Sequence, residues 1–184
     1  MSGDLDTKAK LDLYRLVINR YKDLINQNES RSISEIRQKV SPYDDFIRKK
    51  KDALLVDIVP YIRDKYFFGA AQKAIAYVRE ISVCEFAFNF WMNFEEMDRL
   101  KLSTSLDKAI MLAALLRAME SGDVRVTVTK KGKSYVKFMW KDETYLFVPE
   151  SGSLLAGDDV KKLFDIDPVA YSFNDLVYEN YADE

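Results

Sequence analysis

Hydrophobic positions in the first third of the chain recur at helical spacing. Between residues 7 and 27, apolar side chains return every three or four positions with charged side chains between them, which predicts one long amphipathic helix. A polar break follows, and Ser32 or Ser34 is expected to cap a second, shorter helix. A third capped segment is predicted over residues 44–58. The N-terminal region, residues 1–68, is therefore expected to be helical.

The pattern changes in the second half of the chain. Residues 105–120 are apolar on nearly every side, which is typical of a buried helix. A Ser-Gly-Asp sequence is expected to end this helix. After it, hydrophobic residues recur at every second position over residues 123–129, 134–140 and 143–148, with tight turns between these segments. This pattern predicts an antiparallel meander. A last capped helix is expected to open at Asp158.

Between these two regions the chain is rich in aromatic residues. A helix is expected to follow Gly69, and it leads into the segment CEFAFNFWMNF, in which Phe86, Phe88 and Phe90 alternate. We interpret this alternation as core packing, with Cys84 as a buried thiol. The predicted fold class is α+β, in which a helical region precedes a core of residues 69–184, the two forming one compact unit.

Composition and charge narrow the classes of function. The chain has 184 residues, 48% of them hydrophobic, and its 28 basic and 30 acidic residues leave a net charge of -2. No overall field draws it to nucleic acid, and we expect the basic residues of Arg48–Lys51 and Lys130–Lys133 to be solvated. No segment has the length and apolarity of a membrane span or a signal peptide. We therefore expect a cytoplasmic protein without a membrane partner.

The absence of histidine restricts the chemistry most strongly. Without histidine and with a single cysteine, the chain cannot supply a Ser-His or Cys-His pair, an internal disulfide or a Cys/His zinc site. We expect no structural metal and no cofactor. The chemistry left open is a Ser-Lys arrangement, which Ser105 and Lys108 would supply, an oxygen-ligated metal, or a carboxylate site, for which Glu95, Glu96 and Asp98 are the candidates.

Several segments together resemble the transglutaminase-like superfamily, whose core is related to papain-like cysteine peptidases. The segment SLDKAIMLAALLRAM is similar to the helix that the family's nucleophile opens, AIAYVREI is similar to the preceding helix, and FWMNFEEMDRL is similar to the connector. The strands KSYVKFMW and TYLFVPES resemble the two that complete the family's triad. The resemblance implies a buried helix packed on a three- to four-stranded antiparallel sheet.

The family's catalytic residues are replaced at all three matching positions. Ser105 stands where the family has its cysteine, Ser134 near the histidine position, and Val148 at the aspartate position before a proline. Asp107 matches the acidic residue that follows the nucleophile. Serine is far less acidic than cysteine, so a helix terminus alone does not ionise it, and we interpret the polar start of the helix as a cap. The resemblance thus implies a catalytically inactive member.

Without catalysis, the expected function is that of a binding or structural module. Ser105 and Asp107 at the helix start, with Trp91 and Tyr135 as flat contact surfaces, are the candidate binding residues, and the expected partner is a protein or peptide segment. The alternative function is a hydrolase or acyl transferase that uses Ser105 with Lys108, or a carboxylate-based site in the same groove. Nucleic-acid binding through the basic runs is a third class, which salt-sensitive retention on heparin would reveal.

Overall fold

A computed structural model describes residues 2–28, 32–86 and 90–181 of the chain. These residues form helices and a large antiparallel sheet, so the fold class is α+β, as the sequence predicts. The chain divides into two compact units. The smaller unit contains Met1–Arg31 and Glu85–Trp91, and the larger contains Ser32–Cys84 and Met92–Glu184.

The smaller unit contains helix α1, Ser2–Asn28, which includes the helix predicted over residues 7–27. Several of its apolar side chains are solvent-exposed, for example Leu16 at 65%. In the aromatic segment of this unit the rings of Phe86 and Phe90 meet edge to face, with centroids 6.0 Å apart. Phe90 is 38% exposed, so the prediction that it packs in a core is wrong. Phe88 lies outside the described residues.

The larger unit begins with two capped helices, α2 (Ile33–Lys39) and α3 (Asp45–Leu54). Ser32 caps α2 in a reciprocal pair of hydrogen bonds with Glu35, which confirms one of the two predicted caps. The carboxylate of Asp44 accepts hydrogen bonds from the first backbone N–H groups of α3. This helix ends at Leu54, before the predicted residue 58, because the chain turns there ahead of Pro60.

Helix α4 spans Arg63–Arg79 and begins before Gly69, where the sequence predicted its start. The boundary expected between residues 68 and 69 therefore falls inside a continuous helix. No side chain caps α4, so the sequence carries no start signal there. The short helix α5 (Phe94–Leu100) follows, and it is flanked by two two-residue strands that pair in parallel, β1 (Ser82–Val83) and β2 (Leu102–Ser103).

Helix α6 spans Ser105–Ala118 and is the central element of the larger unit. Every residue from Asp107 to Leu116 is buried, which confirms the prediction of a helix apolar on nearly all sides. Such a helix needs neighbours around its whole circumference. The neighbours of α6 are helices α3 and α4 and the strands of the sheet, which follow the turn at Gly122.

The sheet has six antiparallel strands, more than the three or four that the sequence predicts. The meander is confirmed as the first three of these strands, and the other three were not predicted. Helix α7 (Asp158–Ile166) lies between the fourth and fifth strands in sequence. The strand order is β6-β5-β4-β3-β7-β8, with bounds β3 (Arg125–Thr129), β4 (Ser134–Trp140), β5 (Glu143–Val148), β6 (Ser153–Ala156), β7 (Val169–Phe173) and β8 (Tyr178–Asn180).

The two faces of the sheet are covered by different helices, because successive side chains of a strand point to opposite faces. On one face, which we call the α6 face, Phe138 meets Phe67 of α4 edge to face at 6.0 Å. On the other, the α7 face, Tyr135 and Leu146 form a cluster with Val160 of α7. Each strand thus contributes alternate residues to two separate cores.

Candidate functional site

The start of α6 is capped by the threonine of the sequence Ser-Thr-Ser. Thr104 Oγ1 accepts a hydrogen bond from the backbone N–H of Asp107 at 3.0 Å and donates one to Asp107 Oδ2 at 2.9 Å. This reciprocal arrangement satisfies backbone groups that a helix start otherwise leaves without partners. It confirms that the polar start of the helix is a cap.

Ser105, the residue at the family's nucleophile position, is the first residue of α6. Its Oγ is buried, and within the part of the chain that the structure describes it has no hydrogen-bond partner. The same is true of Ser103 Oγ, two residues earlier. A serine nucleophile needs a base that accepts its proton at hydrogen-bond distance. Among the described residues, no side chain takes that position.

Asp107 is the most perturbed acid at this helix start. Its side chain is 3% exposed, and burial raises its pKa to about 6 from a usual 3.8, since desolvation disfavours the charged carboxylate. The hydrogen bond from Thr104 and the positive charge of Lys39 act in the opposite direction without cancelling the effect of burial. The Asp107 carboxyl therefore takes up a proton near pH 6, close to physiological pH.

Lys108 follows and is also 3% exposed. Burial lowers the pKa of its ammonium group, and the nearby positive charge of Arg79 lowers it further. Arg79 itself is held by a 2.6 Å hydrogen bond from its Nε to the carbonyl of Gly152. Because Ser105 Oγ has no hydrogen-bond partner among the described residues, Lys108 and Ser105 do not form a hydrogen-bonded Ser-Lys pair.

The other predicted site residues are divided between the faces of the sheet and the smaller unit. Ser134, at the start of β4, is 6% exposed and shares the parity of Phe138, which places it on the α6 face. Val148, at the end of β5, packs against the cluster that contains Tyr135 on the α7 face. The structure thus brings Tyr135 and Val148 together, but away from the α6 face. Trp91 is half-buried and belongs to the smaller unit.

Among the acidic residues of the connector, Asp98 is the centre of a cluster of hydrogen-bond donors. Its carboxylate accepts hydrogen bonds from Lys50 at 3.0 Å, Lys101 at 2.7 Å and the Tyr77 hydroxyl at 2.9 Å. Burial raises the pKa of Asp98, but these three donors outweigh it and hold the pKa at about 2. A carboxylate that stays ionised under three donors is a poor general acid. Glu96 is also engaged, in the capping box of α5.

The basic runs are broken up by acidic neighbours. Lys50 joins Asp98, Lys51 lies 3.2 Å from Asp52, and Lys133 lies 2.8 Å from Glu150. Much of the positive charge in these runs is therefore neutralised locally, which weakens the attraction of a phosphate backbone.

Residues 2–28, 32–86 and 90–181 contain no group of three or more cysteine, aspartate or glutamate side chains arranged to hold a metal ion. In those ranges no helix combines the length and apolar character that crossing a membrane requires.

Comparison of the chain with protein-family models, with curated proteins and with solved structures found no match in any of the three.

Proposed function

We propose that this chain is a non-catalytic member of the transglutaminase-like superfamily and acts as a binding or structural module. The observation that carries the proposal is the state of Ser105 Oγ, which is buried and lacks a hydrogen-bond partner among the described residues. A substrate carbonyl cannot reach a hydroxyl without accessible surface, and a serine without a base is a weak nucleophile.

The order of the elements supports the relationship to the superfamily. A helix, a short connector and a buried helix with a polar start precede an antiparallel meander, and the buried helix packs on strands of that meander. Ser105 and Ser134 stand at the first residues of α6 and β4, as the resemblance implies for the replaced cysteine and histidine. Val148 departs from the pattern, since its side chain packs on the opposite face.

A hydrolase or acyl transferase that uses Ser105 with Lys108 is the second candidate. The observation in its favour is the lowered pKa of Lys108, because a larger fraction of a lysine with a depressed pKa is present near neutral pH as the neutral amine, the form that acts as a base. The catalytic arrangement would require a movement that joins the Lys108 amine to Ser105 Oγ and opens that hydroxyl to substrate.

Turnover assays separate the two candidates. Wild-type protein, Ser105→Ala and Lys108→Met are screened with ester and amide substrates and with an amine acceptor for acyl transfer. The non-catalytic proposal expects no difference between the three proteins and the buffer. Turnover that both substitutions abolish, in variants that keep the wild-type circular-dichroism spectrum, would refute it and establish the Ser-Lys enzyme.

A further inference from the structure

The α7 face of the sheet carries a groove beyond the end of the cluster that α7 covers. The groove has a volume of about 520 Å³, which lies in the range that holds small molecules. Its apolar side is formed by Met139 of β4, Phe164 of α7 and Val169 of β7. The ring of Phe164 is fixed there by an edge-to-face contact with Tyr135 at 6.1 Å.

Polar side chains from neighbouring strands form the floor of this groove. Thr127 of β3 lies opposite Ser172 of β7 in the register of the sheet, and both side chains line the groove. Thr127 is 2% exposed, and its Oγ1 has no hydrogen-bond partner among the described residues. A buried hydroxyl without a partner is costly, and a ligand that hydrogen-bonds to it would remove that cost.

Two positive charges lie next to this hydroxyl. Arg125 of β3 and Lys137 of β4 are directly opposite each other across the strand pair, and both line the groove. Like charges directly opposite on neighbouring strands destabilise a sheet unless something neutralises them. The exposed ammonium of Lys137 has no ion-pair partner in the part of the chain that the structure describes.

The acidic residues of the groove already have donors from within the chain. The carboxylate of Glu179 accepts a hydrogen bond from the Tyr181 hydroxyl. That of Asp123 accepts from the Ser121 hydroxyl at 3.1 Å and from the Met139 backbone N–H at 2.5 Å. Each of these carboxylates is thus engaged by a donor of the chain itself, whereas the Thr127 hydroxyl has no such partner among the described residues, so the groove keeps a donor for a ligand with acceptor oxygens.

We infer that this groove binds a small organic anion whose oxyanion head lies between Lys137, Arg125 and the Thr127 hydroxyl and whose apolar body contacts Met139 and Phe164. A carboxylate and a phosphate monoester share this head chemistry, and both satisfy charged donors and a hydroxyl. The site lies on the face opposite α6, so it does not depend on the state of Ser105. It adds a ligand to the proposed binding module.

Binding is tested by nuclear magnetic resonance titration of the full chain with three probes of equal apolar length: 4-phenylbutyrate, 4-phenylbutyl phosphate and the neutral 4-phenylbutyramide. We expect at least one anion to shift resonances of β3, β4 and β7 saturably and the amide to bind at least about tenfold more weakly, since it lacks the charge. Stronger binding of the phosphate or of the carboxylate identifies which head the groove prefers.

Substitutions complete the test. Thr127→Val keeps the side-chain shape and removes the hydroxyl, Lys137→Met removes an exposed charge, and Lys162→Met on α7 is the matched control. We expect the first two to weaken anion binding by about tenfold each and the control to leave it unchanged. Lys137 is exposed, so its variant remains informative if Thr127→Val fails to fold. Equal binding of acid and amide, unchanged affinity in Lys137→Met, or no saturable shift up to about 10 mM would overturn the inference.

Discussion

Arg117 and Asp175 form a two-bond ion pair that ties the end of α6 to the turn between β7 and β8. Arg117 Nε donates to Asp175 Oδ1 at 2.5 Å and Nη2 donates to Oδ2 at 3.0 Å, and the two side chains are 13% and 15% exposed. The same guanidinium donates to the carbonyl of Ser121 just beyond the helix. Parallel hydrogen bonds between a guanidinium and a carboxylate are among the stronger polar contacts in proteins. This pair therefore fixes the helix against a distant part of the sheet.

We predict that Arg117→Lys lowers the free energy of unfolding by about 1–3 kcal/mol, because lysine keeps the charge but cannot make the two-bond contact. A double-mutant cycle with Asp175→Asn should give a coupling energy above about 1 kcal/mol. The matched control is the cycle for the exposed pair Lys162 and Asp159, 3.3 Å apart, where the coupling should be close to zero. Urea denaturation measures both. Equal coupling in the two cycles would contradict the prediction.

Asp107 should make stability depend on pH in the direction opposite to that of most paired carboxylates. Its folded-state pKa is raised to about 6 from 3.8, so between these values the folded chain holds a proton that the unfolded chain has lost. Its contribution to stability is therefore complete below about pH 4 and is lost as the pH rises through about 6. We predict that the free energy of unfolding of Asp107→Asn, relative to wild type, rises by about 2–3 kcal/mol between pH 4 and pH 7.

Denaturant titrations across that pH range measure this difference. Asp165→Asn, at an exposed position of α7, is the matched carboxylate-to-amide control. A flat difference for Asp107→Asn would show that the buried carboxyl does not change protonation there.

Lys108 should lower stability at neutral pH. Burial lowers the pKa of the Lys108 ammonium below 10.5 in the folded chain. Between this lowered pKa and pH 10.5 the unfolded chain binds the proton more strongly than the folded chain does. Stability therefore rises as the pH approaches 10.5. We predict that Lys108→Met, which has a similar length and no charge, is more stable than wild type at pH 7 by about 1 kcal/mol or more. The advantage should shrink above about pH 10.

Thermal unfolding at several pH values measures the effect, with Lys162→Met on the exposed side of α7 as the matched substitution. A loss of stability in Lys108→Met at pH 7 would show that the ammonium makes favourable contacts that outweigh its desolvation.

The elements that the sequence predicts well are those whose signals are local. Helix α6 combines a continuous apolar run with a hydroxyl cap at Thr104, and strands β3 to β5 are short runs rich in β-branched and aromatic residues between short turns. Strand β7 was not predicted because its pairing with β3 joins residues 40 to 47 positions apart, across an intervening helix, and no local pattern encodes such pairing. The start of α4 was missed because Ile62 supplies no cap.

The candidate site was predictable in its chemistry but not in its geometry. The absence of histidine and the hydroxyl cap at Thr104 can be predicted from the residue types alone. The face of the sheet on which a residue lies depends on the register of the strands, which residue types do not give. Val148 shows this, since its neighbour Phe147 lies opposite Val136 on the α6 face while Val148 itself turns to α7. The hydrogen-bonded cluster around Asp98 was also not predicted, because Lys50, which donates a hydrogen bond to Asp98, lies 48 residues earlier in the chain.

Reaction with a fluorophosphonate probe tests the absence of catalysis most directly, because it needs an accessible, activated serine and no knowledge of the substrate. Wild type and Ser105→Ala are incubated with the probe at pH 7 and at pH 9, where a lysine base would gain activity, and adducts are located by peptide mass spectrometry. We expect no adduct on Ser105 at either pH, because the hydroxyl is buried and no base among the described residues is hydrogen-bonded to it. An adduct on Ser105 that forms in the folded protein, is missing from Ser105→Ala and increases with pH would contradict it.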